Sequence, residues 1–147
     1  MTTGIRPRTS AVSVLIVDDD PIVRGVLRSI IERTPGAVCV GELGEADSLP
    51  QAAERLHPDV VLLDVRMPGR DPLEAAVEVL SMVDPPKIIV VAASMQGWLV
   101  RGALAFGATG FVLKDDVPSS LPTAIREVMQ GRKYLSPTVR LMHPDEV

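Results

Sequence analysis

The chain has 147 residues, of which 46% are hydrophobic, and it carries a formal net charge of −4 at pH 7. This length and composition predict one globular domain and exclude a disordered chain, while the negative charge argues against a segment that binds a nucleic-acid backbone by itself. No apolar run approaches the roughly 20 residues that a membrane helix needs, and the single cysteine, Cys39, cannot form an internal disulfide, so we expect a cytoplasmic protein without a membrane segment.

Short β-rich runs alternate with runs of helical periodicity after a predicted flexible N-terminal tail, residues 1–11. The predicted strands, in chain order, are Val12–Val17, Ala37–Gly41, Val60–Leu63, Ile88–Val91 and Gly110–Leu113. The predicted helices that follow them span residues 21–33, 47–57, 71–83, 96–106 and 121–130. Five repeats of strand and helix predict an α/β fold of the flavodoxin-like (βα)5 type, doubly wound, with a five-stranded parallel sheet of strand order 2-1-3-4-5.

Capping signals mark the ends of several helices. Asp20, followed by proline, is a strong N-cap for the first helix, and Gly107 and Gly131 are placed to end the fourth and fifth helices. Pro122 would lose a hydrogen bond in a helix interior. We therefore predict that the last helix begins late, with Ser120 as its N-cap, which leaves Pro122 in the first turn.

Aspartates end two strands that this fold places side by side. The first strand runs into Asp18, Asp19 and Asp20, and the third strand runs into Asp64. In an open parallel sheet, ligands bind beyond the carboxyl ends of the strands where the strand order reverses, which here lies between the first and third strands. The fold rule and the acidic residues therefore select the same place.

Carboxylates brought together in this way predict a magnesium site. Two such charges about 4 Å apart repel by roughly 4 kcal/mol at an effective dielectric constant of about 20. Mg²⁺ suits a site of a few carboxylates, waters and phosphate oxygens, whereas the distant His57 and His143 do not have zinc-site spacing. A carboxylate beside Mg²⁺ can accept a phosphoryl group, and Lys114, which ends the fifth strand, is placed to offset the phosphoryl charge.

Each of these residues also has an ordinary structural explanation. Asp20 is explained simply as a helix cap, Asp64 alone as a loop acid, and Lys114 alone as a solvated lysine. Their positions at the ends of the first, third and fifth strands favour a common site over three separate explanations.

Three segments resemble the response-regulator receivers of two-component systems. Val14–Arg24 (VLIVDDDPIVR) resembles the start of these domains, Pro58–Gly69 (PDVVLLDVRMPG) the segment of the phosphorylated aspartate, and Gly107–Asp115 (GATGFVLKD) the fifth strand with its lysine. The Leu-Lys-Asp sequence, together with Tyr134–Pro137 (YLSP), is most similar to the NarL/FixJ (LuxR-type) branch. The resemblance covers roughly residues 12–137.

The resemblance implies a role for each residue of the acidic cluster. Asp64 matches the phosphorylated residue, and Lys114 matches the lysine that pairs with the phosphoryl oxygens. Mg²⁺ is the implied cofactor, held by Asp18, Asp19, Asp64 and the backbone carbonyl of Arg66.

Two further positions concern the conformational switch of the family. Phe111 matches the aromatic switch residue, although core packing explains it equally well. The family carries Thr or Ser 22 residues before the lysine, where this sequence has Ala92. Ser94 lies two residues later and would need a shifted loop to supply the missing hydroxyl. Gly97 and Gly102, in the fourth helix, indicate either a movable switch helix or close packing.

The resemblance also implies partners and domain limits. A sensor histidine kinase would phosphorylate the receiver, residues 12–131, and activation would produce a homodimer. Residues 132–147 are predicted to form a C-terminal tail or linker toward a possible helix-turn-helix output domain, absent from this sequence, through which alone DNA would be bound and transcription regulated. The chain would then be an excised or a stand-alone receiver, and no enzyme beyond self-dephosphorylation.

Two other functions stay open. Ala92 motivates a pseudo-receiver, an interaction or dimerisation module that works without phosphorylation. A phosphatase with an aspartyl nucleophile would carry a second acid two residues after it, where this chain has Arg66. Nucleotide binding is disfavoured because the first strand leads to acids rather than to a glycine-rich loop.

Overall fold

A computed structural model of the chain describes residues 11–146. The strands are β1 (Val12–Val17), β2 (Ala37–Leu43), β3 (Val60–Leu63), β4 (Lys87–Ala92), β5 (Gly110–Leu113) and β6 (Tyr134–Leu135). The helices are α1 (Pro21–Glu32), α2 (Leu49–Leu56), α3 (Pro72–Leu80), α4 (Gly97–Phe106), α5 (Val117–Met129) and α6 (Pro137–Met142). Within this range, no helix combines the length and the apolar character needed to cross a membrane. The predicted N-terminal tail lies outside the described residues except for Ala11.

The strands form one parallel sheet in the order β2-β1-β3-β4-β5-β6. The predicted order of the first five strands is confirmed, and the order reverses between β1 and β3. At their carboxyl ends, Val17 of β1 lies opposite Leu63 of β3, and Ala92 of β4 lies opposite Leu113 of β5. The residues that follow these four positions therefore share one edge of the sheet.

Two apolar clusters cover the two faces of the sheet. Leu15 and Val17 of β1 belong to one cluster, whereas Val14 and Ile16 belong to the other, because successive side chains of a strand point to opposite faces. The first cluster includes buried residues of α2, α3, α4 and α6, and the second includes those of α1 and α5. Burial of each such side chain contributes roughly 1.5–3 kcal/mol, so the central strands are held from both sides.

The predicted caps of the first and fourth helices are confirmed. The Asp20 side chain accepts a hydrogen bond of 2.9 Å from the Ile22 amide, and proline occupies the first turn of α1. Gly107 ends α4 with φ +121°, and a Cβ atom there would lie 2.8 Å from Leu80 Cδ1. Glycine is required at this position for both reasons.

The predicted late start of the last helix is wrong. Helix α5 begins at Val117, and Pro122 lies inside it. Val117 and Leu121 are buried in the core, which holds the first turn of α5 against the sheet. The carbonyl that lacks a donor because of Pro122 belongs to Pro118, which is exposed to solvent. Apolar burial therefore outweighs one missing hydrogen bond, which water can replace.

The segment predicted as a C-terminal tail is folded over residues 134–142. Strand β6 pairs in parallel with β5, with Tyr134 opposite Gly110 and Leu135 opposite Phe111. Leu135 and Val139 of α6 join the apolar core with exposed fractions of 1% and 0%. A strand of two residues is too short for an alternating pattern to be read from sequence. The role of residues 132–147 as a linker toward an output domain stays a prediction.

Candidate functional site

Three carboxylates meet beyond the carboxyl ends of β1 and β3, as the sequence predicts. Asp18, Asp19 and Asp64 each offer an oxygen within 4.8 Å of those of the other two. The main chain holds them there, because the Asp64 amide donates to the Val17 carbonyl at 2.9 Å and the Asp18 amide donates to the Leu43 carbonyl at 3.0 Å. Asp18 and Asp64 are buried, whereas Asp19 is exposed.

The loop after β1 is fixed by hydrogen bonds to Asp18. Its Oδ1 atom accepts from the Asp20 amide at 2.9 Å, and its carbonyl accepts from Arg24 Nη1 at 2.6 Å. Arg24 in turn lies with its Nε atom 3.4 Å from a carboxylate oxygen of Glu42 on β2. The sequence motifs did not indicate this role of Arg24. Its position one helical turn after the Asp20 cap is the signal that places it over this loop.

Lys114 faces two of the carboxylates from the end of β5. Its Nζ atom lies 3.2 Å from Asp18 Oδ2 and 3.5 Å from Asp64 Oδ2. Burial lowers the pKa of Lys114, but the negative charges of Asp64 and Asp18 outweigh burial, so the pKa is raised. The lysine therefore carries a positive charge at neutral pH.

The carboxylate of Asp64 is held at both oxygens. Oδ1 accepts a hydrogen bond of 3.0 Å from the Arg66 amide, and Oδ2 faces Lys114. Burial raises the pKa of Asp64, the bond from Arg66 lowers it, and the charge of Asp18 raises it again; the net result is a raised pKa. The negative charge of Asp64 is thus less stable here than in water, which a bound cation would correct.

An open cleft of about 420 Å³ gives access to these groups. Asp19, Asp64 and Lys114 line it, together with Ala92–Ser94 at the end of β4 and in the loop before α4. Asp64 is 5% exposed, so its carboxylate borders the cleft rather than lying sealed in the core. Because the cleft is open to solvent, a phosphoryl donor and a hydrated ion can approach the Asp64 carboxylate from outside.

The wall formed by β4 offers few hydrogen-bond donors to a ligand. Ala92, the position where the family carries a hydroxyl, is 3% exposed and presents only its methyl group. Among the residues that line the cleft, Ser94 is the one with a hydroxyl. Its Oγ atom lies 3.5 Å from the Gln96 amide, a long contact that leaves the hydroxyl hydrogen free to point elsewhere.

Phe111 lies inside the core rather than at the surface. It is 0% exposed and belongs to the cluster that covers the α3 and α4 face of the sheet. Its carbonyl accepts from the Ser136 amide at 3.0 Å, so β6 holds the main chain of β5 at this point. Core packing is observed for Phe111, and its role as a switch stays a prediction.

The donor set fits a hard divalent cation. Asp18, Asp19 and Asp64 offer only carboxylate oxygens, the ligands that Mg²⁺ prefers. Because Asp19 is exposed, water can complete the coordination shell from the cleft. Arg66 lines the same cleft, and the contribution of its carbonyl stays a prediction.

Comparisons with known proteins agree with the site. The family model for the response regulator receiver domain matches residues 14–126. The chain is 36% identical over 137 residues to the "Probable transcriptional regulatory protein NarL" of Mycobacterium tuberculosis, an alignment that covers 90% of this chain and 62% of that protein. The chain thus spans less than two thirds of that relative.

Two solved structures are similar over most of the chain. A two-component response regulator of the LuxR family from Aurantimonas sp. SI85-9A1 superposes with a TM-score of 0.86 at 30% identity, covering 93% of this chain and 98% of that one. The isolated REC domain of RcsB from Salmonella enterica serovar Typhimurium, solved with the phosphomimetic BeF3−, superposes with a TM-score of 0.82 at 26% identity, covering 90% and 99%.

Proposed function

The chain belongs to the response regulator receiver domain family, in its NarL/FixJ branch, and from this we propose that Asp64 accepts a phosphoryl group in a Mg²⁺-dependent reaction. The proposed donor is a sensor histidine kinase, and the proposed result is a change in self-association. The observation that supports this most is that Asp64 borders an open cleft with its Oδ2 atom 3.5 Å from the ammonium group of Lys114.

Each residue of the cleft has a separate role in the proposed phosphoryl transfer. A carboxylate oxygen of Asp64 attacks phosphorus, the new P–O bond forms as the bond from phosphorus to the donor breaks, and the donor leaves with that electron pair. Lys114 pairs with the phosphoryl oxygens, while the Arg66 amide orients the carboxylate through Oδ1. Mg²⁺ bound by Asp18, Asp19 and Asp64 would supply neutralisation of charge on the phosphoryl oxygens.

The test is the mass of the intact chain after incubation with Mg²⁺ and a small acyl phosphate. We expect the addition of one phosphoryl group to the wild type and none to Asp64→Asn, which keeps the shape of the side chain. Asp71→Asn is the matched control, because Asp71 caps α3 outside the cleft and asparagine retains that cap. An unmodified wild type at saturating donor, or an Asp64→Asn variant that is still modified, would contradict the proposal.

A phosphorylation-independent interaction module is the second candidate function. Ala92 favours it, because a methyl group cannot form the hydrogen bond that would draw the loop before α4 toward a phosphoryl group. Beryllofluoride with Mg²⁺ separates the two candidates through the fluorescence of Trp98, which lies at the start of α4. A receiver responds at this position, whereas a constitutive module gives the same spectrum and the same dimer affinity with and without beryllofluoride.

The name of one relative supports a proposal about the wider role of this chain. That relative is called a transcriptional regulatory protein, and this chain covers 62% of it. We therefore extend the proposal to transcription regulation in the cytoplasm, with homodimerisation on activation and with DNA bound only through a separate output domain. We propose no phosphatase activity on other molecules, since Arg66 occupies the position where an aspartyl phosphatase would carry its second acid.

A further inference from the structure

The C-terminal segment, defined here as residues 134–143, forms hydrogen bonds with residues on both sides of Lys114. Before the lysine, the Leu113 amide donates to Ser136 Oγ at 3.0 Å. After it, the carboxylate of Asp116 accepts from the Thr138 amide at 3.1 Å and from the Thr138 hydroxyl at 2.9 Å. The end of β5 that carries the lysine is thus tied to the start of α6.

The same segment also reaches the loop after β4 through His143. Its Nε2 atom lies 2.7 Å from the carbonyl oxygen of Met95, which is 48 residues away in the chain. A carbonyl oxygen only accepts hydrogen bonds, so Nε2 carries the hydrogen and donates. Met95 belongs to the loop of residues 93–96, and Ala93 and Ser94 of this loop line the cleft.

Apolar contacts keep both partners of this hydrogen bond in place. Val139, one helical turn before His143, is 0% exposed and lies in the same apolar cluster against which Met95 packs. The long 3.5 Å contact between Ser94 and Gln96 stays within the loop and does not tie it to the sheet. A bond from His143 to a loop carbonyl therefore restrains the loop relative to the rest of the domain.

We propose that His143 is a positioning residue for the phosphoacceptor site, which holds the loop of residues 93–96 in place from the C-terminal segment. This rests on the proposed function of Asp64. Because Ala92 has no hydroxyl, it cannot link the loop to a phosphoryl group. The hydrogen bond of His143 instead links the loop to the C-terminal segment, whether or not a phosphoryl group is bound. Coupling free energies are reciprocal. If the bond to His143 favours one position of the loop, a ligand that favours the same loop position stabilises that bond by the same free energy.

The experiment compares three variants of the full chain with the wild type by hydrogen–deuterium exchange and by beryllofluoride binding. His143→Ala removes the donor, His143→Gln keeps an N–H donor of similar reach, and Leu141→Ala changes an exposed residue of the same helix. Exchange of the 92–100 peptide is measured without ligand. The affinity for beryllofluoride is measured with Mg²⁺ through Trp98 fluorescence.

His143→Ala is expected to speed exchange of the 92–100 peptide and to weaken beryllofluoride binding about three- to tenfold, the effect of losing one hydrogen bond. His143→Gln is expected to restore both values, and Leu141→Ala to change neither. Unchanged loop exchange in His143→Ala, or a glutamine variant that behaves like alanine, overturns the inference. If His143→Ala loses its fold, seen as fast exchange in β1, His143→Asn replaces it, since its amide is too short to reach Met95.

The two proposals fail in different ways in this experiment. A wild type that binds no beryllofluoride overturns the proposed function of Asp64, whatever its loop does. A wild type that binds beryllofluoride with the same affinity as all three variants overturns the positioning role of His143 and leaves the proposed function intact.

Discussion

At the scale of single residues, the charges in the cleft are unbalanced. The carboxylates of Asp18, Asp19 and Asp64 lie together there, and the ammonium group of Lys114 is within ion-pair distance of Asp18 and Asp64. Burial raises the pKa of Asp64, which means that its charged form is disfavoured in the folded chain relative to the unfolded chain. The stabilising contribution of protonated Asp64 is present below its unfolded-state pKa and is lost as the pH rises through the folded-state pKa. At neutral pH the residue therefore lowers stability.

We expect Asp64→Asn to raise the free energy of unfolding in metal-free buffer at neutral pH, because it removes a negative charge that burial and the charge of Asp18 disfavour. Urea unfolding with a chelator present measures this. Mg²⁺ at ten times its dissociation constant should stabilise the wild type by about 1.4 kcal/mol and the variant by much less. Equal stabilisation of both chains by Mg²⁺ would show that the metal binds elsewhere.

Ala92→Thr is expected to strengthen dimerisation in the presence of beryllofluoride. Ala92 is among the residues that line the cleft, and we expect a hydroxyl added there to donate to a phosphoryl oxygen and draw the loop before α4 inward. Sedimentation of both chains with and without beryllofluoride measures the change. Val83→Thr, at a 91% exposed position outside the cleft, is the control. Identical dimerisation of wild type and Ala92→Thr in both conditions would refute this expectation.

At the scale of elements, α4 is weakened by glycines that packing does not require. A Cβ atom at Gly102 would meet no other heavy atom within 4 Å. At Gly97 a Cβ atom would meet only the guanidinium group of Arg101, the far end of a flexible side chain. Close packing therefore does not account for either glycine. Gly102, inside the helix, weakens it by about 1 kcal/mol relative to alanine, which favours the interpretation of α4 as a movable element.

Gly102→Ala is expected to raise the free energy of unfolding by about 1 kcal/mol and to reduce the response of Trp98 fluorescence to beryllofluoride. Both effects follow from a stiffer α4. Ala105→Gly, at an exposed position of the same helix, should act in the opposite direction on stability. A more stable variant with an undiminished fluorescence response would contradict the role of α4 as a movable helix.

At the scale of the whole molecule, the residues that follow three strands of the sheet form the site. The C-terminal segment covers one edge of the sheet. Without β6, the strand β5 that precedes Lys114 would be an open edge. Instead, β6 pairs with β5 and Val139 fills the core beside it. The described part of the chain therefore folds as one unit through residue 142.

Val139→Ala should lower the free energy of unfolding by about 2 kcal/mol, since it removes two methyl groups from a fully buried position. Leu141→Ala, on the same helix but 80% exposed, should change it by less than about 0.5 kcal/mol. Chemical unfolding of both variants measures the difference. Equal stability of the two variants would mean that residues 134–142 are a dispensable tail.

Local patterns were sufficient for most of the fold and for the acidic cluster. Strands β1, β3 and β4 were predictable because buried parallel strands are nearly continuous runs of Val, Ile and Leu, and the Asp20 cap because its partner lies two residues away. Asp18 and Asp64 were predictable as neighbours because strand order alone determines which carboxyl ends meet.

The sequence by itself determined the order of strands and helices, the meeting of the aspartates and the absence of a hydroxyl at Ala92, since each depends on local periodicity or on residue identity. Only the tertiary structure decided that α5 begins at Val117, that β6 joins the sheet and that His143 reaches Met95. These features depend on burial and hydrogen bonding between residues far apart in the chain, and the local sequence pattern does not reveal the free energy of such contacts.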